Sequence, residues 1–108
     1  MTNPSDEFNR YDTETLRDQM ESLSPELREV VERRIEDILL DPRRYRDFGK
    51  GRYRGKKKVR LNRKDRLFFV FCEECRKFGH RSFNQCDDCE NTPNNTVKFA
   101  FILFDHKY

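Results

Sequence analysis

The sequence has no long apolar segment and is poor in hydrophobic residues. Of its 108 residues, 34% are hydrophobic and 40% are charged. No stretch is long and apolar enough to span a membrane, and residues 1–10 lack the apolar core of a secretory signal. We therefore expect a cytoplasmic protein with no membrane partner. A chain of this length predicts one domain, whose small core must rely on its ten phenylalanines.

Acidic residues are scarce in one short part of the chain. Residues 43–66 carry thirteen Lys and Arg against two Asp, whereas the net charge is −7 over residues 1–42 and −1 over residues 67–108. Tyr45, Phe48 and Tyr53 lie within this basic segment. Cations that bind phosphate and aromatic rings that stack on bases together favour RNA or single-stranded nucleic acid. A solvated basic face and an acidic protein partner remain the alternatives.

Four cysteines form two identical pairs, Cys72-x-x-Cys75 and Cys86-x-x-Cys89. Two such pairs, each on a tight turn, can supply the tetrahedral sulfur ligands of a zinc ion. Disulfides and a redox motif are the alternatives. His80 lies between the pairs and could replace a cysteine, but with four sulfurs present we expect it to be a loop residue. Four thiolates leave no open position for water and repel phosphate, so this zinc is expected to be structural.

The hydrophobic spacing predicts two helices followed by strands. Asp12 or Thr13 is expected to cap a short first helix, and Ser24-Pro25 begins a longer one that ends before Pro42. After residue 50 the residue pattern changes to a period of two. Lys56, Lys58 and Arg60 are expected to face outward, and Lys57, Val59 and Leu61 are expected to face the helices. A turn over residues 62–65 leads into the apolar run 67–71, and a second run covers residues 97–104. Both runs are expected to be inner strands of one sheet.

These elements predict an α+β fold with a helical hairpin packed on a small antiparallel sheet. Residues 1–11 are expected to form a mobile tail, and residues 12–108 a single domain. The cysteine pairs form an insertion at residues 72–89 between the last two strands, where zinc would hold together a long connection.

In its order of motifs the chain resembles the RelE/ParE superfamily of toxin proteins. The resemblance covers roughly residues 13–108 and rests on LSPEL at 23–27, Asp41-Pro42, GKKKVRL at 55–61, RLFF at 66–69, and the last strand followed by DHKY at 105–108. The family normally begins with a strand before its helices, a pattern not evident in residues 1–11. The four-cysteine hairpin is an addition to the family pattern.

The resemblance implies a ribosome-associated endoribonuclease that cuts messenger RNA, inhibits translation and is neutralised by an antitoxin protein. The substrate's 2′-hydroxyl would attack the adjacent phosphate without a catalytic metal. The catalytic residues implied by position are Arg60, Arg66, His106 and Tyr108. The candidate RNA-binding residues are Arg52, Arg54, Lys56, Lys58, Arg63 and Lys64. A noncatalytic zinc-containing RNA- or DNA-binding module and a protein that binds an acidic partner remain alternatives, and a homo-oligomer stays open.

Overall fold

The computed structural model describes residues 8–48, 51–84, 86 and 89–105 of the chain. They form an α+β fold, as predicted. In chain order the elements are β1 (Asn9–Asp12), α1 (Glu14–Glu21), α2 (Pro25–Leu40), a 3₁₀ turn (Pro42–Arg44), β2 (Lys57–Arg60), β3 (Arg66–Phe71), α3 (Cys72–Lys77), α4 (Arg81–Asn84), a second 3₁₀ turn (Cys89–Asn91) and β4 (Thr96–Leu103).

Helices α1 and α2 begin at the caps that the sequence predicts. The Thr13 hydroxyl accepts a hydrogen bond from the Leu16 amide at 3.1 Å, and the Ser24 hydroxyl accepts one from the Leu27 amide at 3.2 Å. Each cap satisfies an amide that the first helical turn leaves without a partner. The second helix ends at Leu40, next to Asp41, because the proline that follows disfavours helical geometry in the residue before it.

The sheet has four strands in the order β1-β4-β3-β2. Strands β2, β3 and β4 form an antiparallel meander, and β3 and β4 are the two inner strands, as predicted. The turn between β2 and β3 is closed by the Asn62 side-chain oxygen, which accepts hydrogen bonds from the Lys64 and Asp65 amides, both at 2.8 Å. Such an Asx turn is a common way to reverse the chain in a hairpin.

Strand β1 corrects two predictions. Residues 9–11, assigned to a mobile tail, pair with β4, and they do so in parallel, with Asn9 opposite Thr96 and Asp12 opposite Phe99. The sheet is therefore mixed rather than antiparallel. Arg10 attaches this strand to the helix layer, since its guanidinium donates to both carboxylate oxygens of Glu32, at 2.7 and 3.1 Å. Residues 1–7 lie outside the described residues.

The core lies between helices α1 and α2 and one face of the sheet, which we call the inner face. Its helical side chains are Leu16, Val31, Ile35 and Ile38. They pack against Leu61, which directly follows β2, and against residues of β3 and β4: Leu67, Phe69, Phe71, Val97, Phe99 and Ile102. This burial, which removes large apolar side chains from water, is the main stabilising contribution to the fold.

The connection between β3 and β4 carries the cysteines. Cys72 and Cys75 lie in the first turn of α3, so the first pair is helical rather than part of a tight turn. Side chains three residues apart lie on the same side of a helix, and this spacing still directs both thiols to one side. Cys86 and Cys89 follow α4, and residues 85, 87 and 88 lie outside the described residues.

Candidate functional site

The sheet face opposite the helices, which we call the outer face, carries the predicted basic strand. In β2 the register places Lys58 opposite Phe68 and Arg60 opposite Arg66. Val59, between them, packs against the inner core. The two-residue period predicted for this strand is therefore confirmed, and it separates outward cations from inward apolar residues.

An aromatic cluster covers part of the outer face. The ring of Phe68 stacks on Phe101 at 5.0 Å between centroids and on Phe48 at 5.9 Å, while Tyr53 lies 4.6 Å from Phe68. Phe68 is buried, whereas the other three rings are partly exposed. Two cations lie over the cluster, Arg52 at 5.4 Å from the Tyr53 ring and Lys58 at 5.5 Å from the Phe48 ring.

The rings of Phe48 and Tyr53 also have a structural role. They belong to the segment that precedes β2, and their packing on Phe68 attaches that segment to the sheet. Tyr45 takes no part in the cluster, because its ring packs edge-on against Phe69, a residue of the inner core, at 5.5 Å. Of the three aromatic residues predicted to stack on bases, two therefore lie on the outer face.

The predicted catalytic arginines occupy different environments. Arg66 is only 8% exposed, and its Nη1 donates to the backbone oxygens of Asn62 at 2.8 Å and Asp65 at 3.0 Å. Arg60 is exposed, and its backbone oxygen accepts a hydrogen bond from Arg34 at 3.0 Å. Arg66 stabilises the turn, whereas the Arg60 guanidinium is accessible to a ligand.

The candidate RNA-binding residues are all exposed or partly exposed. Exposed positions are held by Arg52, Arg54, Arg63 and Lys64, and partly exposed ones by Lys56 and Lys58. Burial, together with the nearby Lys98 ammonium, lowers the pKa of Lys56. His106 and Tyr108 lie outside the described residues.

One member of the basic run, Lys57, is buried in an ionic cluster that sequence reasoning missed. It is 2% exposed, and its ammonium lies 2.6 Å from a Glu74 carboxylate oxygen and 3.2 Å from an Asp47 carboxylate oxygen. It also donates to the Tyr45 backbone oxygen. His80 is buried beside the cluster, with Nε2 3.5 Å from Asp47. His80 therefore lies in the loop between α3 and α4, as predicted, but its side chain is buried against this cluster.

The four cysteines line one cavity of about 470 Å³ between the outer face, the N-terminus of α1 and the β3–β4 connection. All four are free thiols. Burial, with a smaller contribution from Cys86, raises the pKa of Cys72 to about 11, and burial also raises the pKa of Cys75. Without a metal these two thiols would stay protonated at neutral pH, so a metal that binds them must displace their protons.

Polar side chains contact three of the four sulfurs. The Lys98 ammonium donates to Cys86, the Asn84 amide donates to Cys75 at 3.2 Å, and Arg76 lies 3.7 Å from Cys89. N–H donors and cations at these positions would stabilise thiolate ligands and offset the negative charge of a four-sulfur zinc centre. In this structure, no group of three or more His, Cys, Asp or Glu side chains among the described residues lies close enough to hold a metal. The donor chemistry fits zinc, while the sulfurs would have to move closer together.

The comparisons with known proteins give no relative. No family model matches the chain, and neither a curated protein nor a solved structure shows a significant match to it. Among the described residues, no helix has the length and apolar character needed to cross a membrane.

Proposed function

We propose that this protein binds RNA on the outer face of its sheet and acts as a toxin-like, ribosome-associated endoribonuclease that inhibits translation. The observation that carries the RNA-binding part is the shared surface of Lys58, Arg60 and the aromatic cluster. Cations along one strand can bind successive phosphates, while adjacent exposed ring faces can stack on unpaired bases. The proposal includes a cytoplasmic location and neutralisation by an antitoxin protein.

The order of elements supports the nuclease part. A short strand, two helices and a three-stranded meander follow one another here, and the resemblance to the RelE/ParE superfamily implies the same order, including a first strand. In this proposal the Arg60 guanidinium stabilises negative charge on the phosphate as the 2′-hydroxyl attacks it. His106 and Tyr108 stay the candidates for moving protons to and from the reacting oxygens.

Induced expression in a bacterial host tests the nuclease proposal. We expect growth arrest with cleavage of translated messages inside codons, and Arg60→Ala should relieve both. Arg33→Ala is the matched control, because Arg33 is an exposed arginine on α2, away from the outer face. Unimpaired growth with intact messages, or equal toxicity of the Arg60→Ala protein, would contradict the nuclease proposal.

A second candidate, a noncatalytic RNA-binding module, is favoured by the environment of Arg66. A guanidinium that is buried and bonded to two backbone oxygens stabilises a turn and is poorly placed to reach a phosphate. This candidate predicts harmless expression together with RNA binding that weakens steeply as salt is raised. Fluorescence anisotropy with a labelled single-stranded RNA at several salt concentrations measures that dependence.

We also propose that the four cysteines hold one structural zinc ion. The common cavity, the hydrogen-bond donors and the two cations near the sulfurs support this assignment. Metal analysis of purified protein should find about one zinc per chain, as for other structural four-cysteine sites. Cys72→Ser should lower both zinc content and thermal stability, whereas Ser82→Ala, a change at an exposed position of α4, should lower neither. Unchanged stability of the Cys72→Ser protein would exclude a structural role for the metal.

A further inference from the structure

The basic segment is bonded to the cysteine-bearing connection at several points. Glu73 and Glu74 of α3 form ion pairs with Arg43 at 3.0 Å and Lys57 at 2.6 Å. Both glutamates are sequence neighbours of candidate zinc ligands. Two of the four candidate zinc ligands and the two glutamates that bind the basic segment therefore lie on the same short helix.

The same two segments meet without a gap at Gly55. Gly55 has a φ of +83°, and a Cβ atom added there would lie 2.7 Å from the His80 Cβ. The close approach allows Asn84 to reach the backbone oxygen of Gly55 at 3.4 Å. A larger residue at position 55 would meet both a strained backbone conformation and a steric clash.

Asn84 links the two sites directly. Its side-chain amide donates to Cys75 Sγ at 3.2 Å, and its side-chain oxygen accepts a hydrogen bond from the Lys56 ammonium at 3.0 Å. One partner is a candidate metal ligand and the other a candidate RNA-binding residue. An asparagine suits this position because it offers a donor and an acceptor on one rigid group.

We propose that Asn84 is a positioning residue through which metal binding at the cysteines sets the affinity of the basic segment for RNA. The inference rests on the proposed RNA binding and on the proposed zinc site. Fixing Cys75 in a metal site fixes the Asn84 amide, and this in turn orders Lys56 and the turn at Gly55. Without the metal, the connection and the segment bonded to it have fewer constraints, so more entropy is lost when RNA binds.

The experiment compares wild type, Asn84→Ala, Asn84→Asp and Ser82→Ala, each with zinc and after chelation. Asn84→Asp keeps an acceptor for Lys56 but loses the donor to Cys75, and Ser82→Ala is an exposed control on the same helix. Anisotropy with a labelled single-stranded RNA reports affinity, and zinc content is measured in parallel. Hydrogen exchange at the Arg54 and Lys56 amides, which are bonded to Gly51 and Tyr53, reports order in the segment.

In wild type and Ser82→Ala we expect chelation to weaken RNA binding about tenfold or more and to speed exchange at both amides. Zinc-loaded Asn84→Ala should bind RNA about threefold to tenfold more weakly, the loss expected for one hydrogen bond, and chelation should then change its affinity less than about twofold. Asn84→Asp should resemble Asn84→Ala. A purely structural asparagine would leave the effect of zinc on RNA affinity unchanged in both variants.

The outcomes separate this inference from the proposed function. Failure of zinc-loaded wild type to bind RNA would remove the proposed function, and the exchange data would still decide whether zinc orders the segment through Asn84. Equal exchange with and without zinc, or an equal zinc effect in wild type and Asn84→Ala, would overturn the coupling even where RNA binding is found.

Discussion

The two faces of the sheet are built from the same strands but have opposite chemistry. Phe69 and Phe99 on the inner face are fully buried under the two helices. On the outer face, Phe68 is covered by the rings of Phe48 and Tyr53 and bordered by cations. Apolar packing therefore stabilises both faces of the sheet, and the outer face also carries exposed charged side chains.

Lys57 and Lys58 show this difference at adjacent positions. The first points to the inner side and is buried between two carboxylates, whereas the second lies on the outer face over an aromatic ring. A run of lysines in a sequence therefore combines residues that stabilise the fold with residues that are available to a ligand. The strand period, and not the charge count, separates them.

Replacing each of these lysines in turn should give the largest contrast. Lys57→Ala leaves the Asp47 and Glu74 carboxylates without their shared cation, which should cost about 3 kcal/mol of unfolding free energy. Lys58→Ala should cost less than about 0.5 kcal/mol and instead weaken RNA binding. Urea denaturation and RNA anisotropy measure the two effects. Equal losses of stability in the two variants would contradict the assignment of Lys57 to the buried side and Lys58 to the outer face.

Arg66 and Arg60 should give a smaller contrast of the same kind. Arg66→Ala removes two hydrogen bonds to turn carbonyls and should cost about 1–2 kcal/mol of stability. Arg60→Ala should leave the melting temperature nearly unchanged while reducing RNA affinity. Thermal unfolding followed by circular dichroism, with the same RNA assay, checks both. If the Arg66→Ala protein keeps its stability but loses RNA binding, Arg66 is an RNA-binding residue and does not stabilise the turn.

The smallest effect is expected at the ion pair that joins β1 to the helix layer. Hydrogen bonding to Arg10 lowers the pKa of Glu32, so the carboxylate contributes stability above its unfolded pKa of about 4.5, and this contribution is lost as pH falls through the lower folded value. Because the Glu32 side chain is partly exposed to solvent, Glu32→Gln should cost only about 0.5 kcal/mol at pH 7.

The stability difference between wild type and the Glu32→Gln protein should shrink as pH falls below about 4.5. Both retain the cysteines, so acid effects at a metal site cancel in the difference between them. A constant difference from pH 7 to pH 3, measured by urea denaturation, would contradict the role of the charged carboxylate.

Local signals in the sequence predicted much of the fold. Thr13 and Ser24 cap the helices, and the alternation around Val59 gives the strand, because each pattern depends on neighbouring residues. Strand β1 escaped prediction because its four residues are polar and its partner lies 87 positions away, with Asn9 opposite Thr96. Long-range pairing of this kind is decided by tertiary context.

The candidate site was predictable by residue type but not by role. The sequence identifies Arg66 and Lys57 as cations, yet only the folded arrangement shows that both are bonded inside the protein. Asn84 carries no motif, and its link between Cys75 and Lys56 depends on where α4 packs. Whether a residue connects two parts of a folded protein depends on their positions in space, which a single sequence does not reveal.

The position of β4 in the sheet has a consequence for synthesis on the ribosome. This strand comes last among the four in the chain, yet it lies between β1 and β3 and pairs with both. Neither the parallel pairing of β1 nor the inner core can be completed before residues 96–103 leave the exit tunnel. Folding is therefore expected to be late and cooperative, limited by contacts between distant residues. A nascent chain that ends before β4 would contain the basic strand β2, but the sheet whose outer face includes that strand would be incomplete.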